Sequence, residues 1–380
     1  MKSQSKINGN STALTAGFIA AVSLAASGVA GASTPFLPAE HTVSTVAANG
    51  DVNPYGVAFV PKDFSGGMLK PGDILVSNFN NSMNVQGTGT SIVRVPANGG
   101  PVSTFFTVPG TTASAMGLTA AEAVLSGGKI IVGYLPVPGG TFATAAPGGL
   151  LILDKKGNLL FNIAGGGQVA GSKLSQNLQG PWGMAVKDNG AKGAVVYISN
   201  VLSGTVIRSE ISFNGGQFQH STTVIAAGLD HENDANGFLL GPSGLAYDAS
   251  RDILYIANSK DNTVSEIKDA STVTQPSPVV VIFNNMQDLH GPLDLALAPN
   301  GDLLVANSDG SNVNPASPSE IVEFTRNGEF IREFNVDASN GGAFGLAVEP
   351  HGDNESALAY VNDNGGGGAV PTLTTVTLAN

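Results

Sequence analysis

The chain of 380 residues carries 17 basic and 29 acidic side chains, a net charge of −12, and no cysteine. That balance argues against nucleic acid as a partner, which is held through clustered lysine and arginine. The absence of cysteine excludes disulfides, cysteine-type zinc sites and thiol catalysis, and it fits an exported protein whose core needs no covalent staples.

The first element is Lys2 and Lys6 followed by an uncharged run of small and apolar residues from Ala13 to Ala32, closing on Ala30-Gly31-Ala32. A basic start, an apolar stretch and a small-residue cleavage site make residues 1–32 a secretory signal peptide. The expected product is residues 33–380, periplasmic or secreted, with no stable membrane span; an uncleaved anchor is the alternative. Cleavage removes two lysines and no acid, so the mature chain is more acidic still.

Next comes "HTVSTVA", residues 41 to 47, an isolated strand pattern, and then six units at spacings of roughly 50 to 66 residues. Each opens on a glycine signature: "NPYGVAF" from Asn53, "SAMGLTA" from Ser114, "GPWGMAV" from Gly180, "GPSGLAY" from Gly241, "GPLDLAL" from Gly291 and "GAFGLAV" from Gly342. A second strand follows and ends in asparagine at Asn78, Asn200, Asn258, Asn307 and Asn362, with Tyr134 in that place in the second unit. Two more short strands rich in Val, Ile, Thr and Phe complete each unit, and no segment of residues 33–380 has a convincing helical period.

Four antiparallel strands per unit describe a propeller blade, so the expected fold is all-β, a single six-bladed β-propeller over residues 33–380. The sixth unit lacks a fourth strand, because only Ala379 and Asn380 follow "PTLTTVTL". The segment "HTVSTVA" is expected to fill that place, closing the ring with an N-terminal strand in the last blade.

These signatures resemble the NHL-repeat type of six-bladed β-propeller, with its P-x-G-[IVL]-A pattern and a strand ending in "VAD" or "VAN". The resemblance implies an exported bacterial protein of the superfamily that includes gluconolactonase-like propellers. It leaves activity open, since this fold carries lyases, lactonases, quinoproteins and pure binding modules. Some relatives hold a catalytic metal through Asn and Asp just before the P-x-G glycine, but here those positions are Tyr55, Met116, Trp182, Ser243, Leu293 and Phe344. That ring is mostly apolar and does not match. A zinc site like that of the amidating lyases has only His231 and His290 in suitable loops.

The strand-ending asparagines read as scaffold, since asparagine tolerates the left-handed conformation and starts a turn at little cost. Long loops after the second strands gather on the face where the channel opens, so a site is expected there. Candidate ligand-binding residues are Tyr55, Trp182, Ser243, His290, Asp294 and Phe344, forming either a plug or an apolar pocket with a few polar groups. Asp294 breaks the glycine pattern and must find a partner, either backbone or ligand. In "DHENDANG", Glu232, Asp234 and Asn236 alternate before Gly237, a spacing that suits a structural calcium ion or an acidic solvated loop.

Two functions follow. One is a monomeric binding propeller for a small molecule, a peptide or a cell-envelope protein, with no nucleic acid. The alternative is a lactonase-like hydrolase, lyase or quinoprotein dehydrogenase whose metal or quinone has no visible place in the sequence.

Overall fold

The computed structural model describes residues 39–110, 116–233, 239–308, 312–351, 355–363 and 370–379. The signal-peptide reading of residues 1–32 lies outside them. Among the described residues the strands form six four-stranded antiparallel sheets and one two-stranded hairpin, Glu232–Asn233 with Leu239–Leu240. The inner strands of the six sheets are Val52–Phe59, Leu118–Leu125, Pro181–Asp188, Pro242–Asp248, Pro292–Leu297 and Ala343–His351. Each touches the next, and the sixth returns to the first, which makes a closed six-bladed propeller.

The expected closure is present. The strand Ala39–Ser44 pairs antiparallel with Thr372–Ala379, with Val43 opposite Leu373, and supplies the outer strand of blade six. The last blade is thus built from both ends of the propeller, and its edge is no longer unpaired.

Side chains alternate across a strand, and every blade is covered on both faces, so the middle strands read as continuous apolar runs. In blade one Ile74 and Val76 pack against Ala359 and Val361 of blade six, while Leu75 packs against Val124 and Ile130 of blade two. The same arrangement recurs around the ring as six inter-blade cores. Each fully buried Leu or Ile contributes roughly 1.5–3 kcal/mol, so most of the stability lies between blades rather than within them.

The asparagines are scaffold; the expected turn-starting bond is made by Asn258, whose Oδ1 accepts Lys260 N, but the role they share is a different one. None of Asn78, Asn200, Asn258, Asn307 and Asn362 has a positive φ. They are strand residues whose side-chain amides tie the second strand to the segment arriving from the preceding blade. Asn78 Nδ2 donates to Thr45 O, Asn200 Nδ2 to Asn177 O, Asn258 Nδ2 to Asp230 O, Asn307 Nδ2 to Asp288 O, and Asn362 Nδ2 to Asp337 Oδ2. A buried carbonyl needs a donor, and an amide supplies one without charge.

The second unit corrects the sequence alignment by four residues. Gly56 stands across from Ser77 in blade one, whereas in blade two Glu122 faces Val132 and the position across from Gly133 falls to Ala121. Gly117, with φ +61°, precedes the strand and carries a tight connection instead. Met116 therefore leaves the expected axial ring and packs into the core between blades one and two, and Ala120 takes its place.

Candidate functional site

Near the start of the inner strands, the side chains just before the signature position converge on the axis. Tyr55 stacks on Phe344 with ring centroids 4.5 Å apart and meets the edge of Trp182 at 5.3 Å. Phe79 closes on both Tyr55 and Trp182, at 5.0 and 5.4 Å. Leu293 and Val201 complete this layer, and Trp182 retains 2% of its surface. Stacked and edge-on pairs of this kind add about 0.5–1.5 kcal/mol each beyond area burial, so the layer is a cohesive partition across the axis.

The polar candidates are held by backbone. Ser243 is buried, and its Oγ donates to Pro292 O of the next blade at 3.0 Å. Ser77 and Ser199 do the same work elsewhere: each accepts the signature glycine N–H and donates to a carbonyl of the following blade, Thr119 O and Ser243 O. His290 has both ring nitrogens against backbone carbonyl oxygens, Asn312 O at 2.9 Å and Gln287 O at 3.0 Å, which leaves neither open to a metal. Glu232 sits in the short hairpin and pairs with Lys260. Asp234 and Asn236, its partners in the calcium reading, lie outside the described residues. Among the described residues no three histidine or acidic side chains gather at metal-binding distance.

Beyond the aromatic layer, in the direction the inner strands run, lies a cavity of about 580 Å³. All six inner strands line it, chiefly with Ala, Val and Leu, together with Met184 and Tyr247. Its ionisable lining is Lys62, Glu122, Asp294 and Glu349. Asp294 was expected to find a backbone or ligand partner, and it has the first: it accepts Leu295 N and, across the blade boundary, Leu346 N, both at 2.9 Å. It also keeps part of its surface on the cavity. Burial pushes its carboxyl up to about 7, with those two amides pulling the other way.

Two further carboxyls escaped the sequence reading. Glu122 is 6% exposed, and neither of its oxygens has a hydrogen-bond partner. Burial pushes it up to about 8 against an opposing pull from the side chain and backbone of Ser77. The signal was available, since "LTAAEAVL" carries one charge in an otherwise small and apolar inner strand. Asp363, which follows the strand-ending Asn362, is pushed by burial up to about 7, and the Tyr55 hydroxyl is held above its ordinary value by its own burial and then by the charge of Asp363.

No protein-family model matches the sequence, and no curated protein matches it. Solved structures are similar in fold. One is a calcium-binding protein, regucalcin, from Agrobacterium tumefaciens, at 11% identity over 88% of this chain and 94% of that chain, with a TM-score of 0.53. Another is an α-L-arabinofuranosidase from Fusarium graminearum in complex with an iminosugar inhibitor, at 12% identity over 89% and 98%, with a TM-score of 0.53. A third is a luciferin-regenerating enzyme, at 11% identity over 89% and 95%, with a TM-score of 0.51. At such identities the likeness is one of architecture.

Proposed function

We propose that this chain is an exported binding propeller that takes a small, largely apolar molecule at its axis. The observation that carries the reading is the cavity of about 580 Å³, walled by six inner strands and bounded by the aromatic layer. Ligand pockets of about 300–1,000 Å³ lined by apolar side chains with a few polar groups are the usual small-molecule sites. The loop-rich face beyond the layer, with Tyr55, Phe344 and Asp363 near its centre, is the place where a peptide or envelope protein would dock in the same proposal.

Filling the cavity tests the reading. Ala296 and Ala347 line it from adjacent blades, and both keep some exposed surface. Small aromatic and aliphatic ligands are expected to raise the melting temperature of the wild type and to lose that effect in Ala296→Phe, Ala347→Phe. Equal stabilisation of both proteins would place the ligand elsewhere.

The second reading is an enzyme, and one observation favours it. Asp294 keeps part of its surface on the cavity and holds its proton near neutrality, at about 7, the range in which carboxyls serve as general acids. The fold neighbours include enzymes as well as a calcium-binding protein, so the architecture is compatible with both readings.

A further inference from the structure

Asp294 occupies a position that the rest of the ring keeps small. The matching residues are Gly56, Gly183, Gly244 and Gly345, with Ala121 in blade two. At the glycines a side chain would collide with the neighbouring blade: a Cβ on Gly345 would fall 1.8 Å from Tyr55 O, and one on Gly244 2.4 Å from Asp294 Cα. Blade five alone has an ionisable residue at this strand position.

The carboxylate of Asp294 is held in place from two blades. Leu295 N of its own strand and Leu346 N of blade six fix its orientation, while part of its surface stays on the cavity. A carboxylate has about four acceptor sites, and two amides leave the others free. The other ionisable groups of the cavity do not compensate it. Glu122 turns both oxygens into the protein, packed against Gly56 of blade one. Glu349 is a further carboxyl and brings no base, and the single base, Lys62, is exposed, three residues past the end of the inner strand Val52–Phe59.

We infer that the ligand of this cavity carries an ammonium group on an apolar body, and that Asp294 is the group that receives it. The inference rests on the axial cavity being the binding site. An N–H donor completes the carboxylate's acceptor sites and brings a positive charge that, apart from the exposed Lys62, the cavity wall does not supply, while the Ala, Leu and Met184 surfaces take the apolar body.

The raised proton affinity of the empty site supplies a second signature. A carboxyl held at about 7 is partly protonated at neutral pH, and an ammonium ion binds the ionised form, so binding expels a proton. Amine affinity should rise between pH 5.5 and 8, whereas the affinity of a neutral analogue should not.

The experiment is calorimetric titration of the purified protein with arylalkylamines, each paired with its matching alcohol, for example 2-phenylethylamine and 2-phenylethanol. At pH 8 the amine is expected to bind at least about tenfold more tightly than the alcohol, and below pH 7, where Asp294 starts protonated, its binding should release a proton seen from the dependence on buffer. The preference should vanish in Asp294→Asn and in Asp294→Gly, the residue four other blades carry, while alcohol binding persists. The wild-type pH series gives the same answer without any variant that must fold. Equal affinity of amine and alcohol at every pH would overturn the ammonium inference and leave the cavity reading standing. Binding of neither would sink both.

Discussion

At the scale of single residues, the fold depends on polar side chains buried for particular tasks, and Glu122 is the one that opposes it. Its carboxyl stands at about 8 in the folded chain against an ordinary 4.5. A group raised in this way prefers its proton in the folded state, so it causes no loss below about pH 4.5. Stability then falls as pH rises from there toward 8, by about 1.4 kcal/mol per pH unit at most, and levels off above. Glu122→Gln is therefore expected to be more stable than the wild type in urea melts at pH 8 and nearly equal to it at pH 4.5. A gap of the same size at both values would refute the account of Glu122. The asparagine clips make an opposite case, in which a conservative change is harmful. Asn307 Nδ2 donates to both Asp288 O and Glu320 Oε1 at 2.8 Å. Asn307→Ala should cost about 1–3 kcal/mol by stranding a buried acceptor, and Asn307→Asp should cost more, because it sets a carboxylate against two acceptors. If Asp proves milder than Ala in chemical denaturation, the clip is not what holds this corner.

At the scale of elements, the repeat was legible because each blade repeats a local physical demand: a small residue at the crowded axis, an apolar middle strand, an amide at its end. The strand Ala39–Ser44 was legible by subtraction, since blade six lacked an outer strand and an unmatched segment stood before blade one. Deleting residues 39–46 should expose the strand Thr372–Ala379 and lower the melting temperature by about 5 °C or more, with increased aggregation. An unchanged melt would mean that the ring closes without it. The phase of blade two was not legible, because Gly117 mimics the signature while serving a connection, and only the pairing of Glu122 with Val132 reveals the shift. The asparagine partners were hidden for a related reason. They are four backbone carbonyls and the Asp337 carboxylate, on segments 19 to 33 residues away, which no local pattern encodes.

At the scale of the whole molecule, the sequence indicated the axis as the place of function and put the expected site on the loop-rich face, whereas the cavity lies on the other side of the aromatic layer. Residue types at the axial ring could pack or part with equal ease, and only the assembled ring shows Tyr55, Trp182, Phe344 and Phe79 packed on one another, with the cavity lined by residues further along the inner strands. The central claim is that a small molecule occupies that cavity, and the single tryptophan reports on the layer bounding it. Trp182 is 2% exposed, so acrylamide should quench it weakly in the free protein. The deciding measurement is its emission during titration with 2-phenylethylamine, in the wild type and in Ala296→Phe, Ala347→Phe. The account predicts a saturable spectral shift in the wild type that disappears when the cavity is filled. A shift that survives the filling, or none in the wild type at saturating ligand, would contradict it.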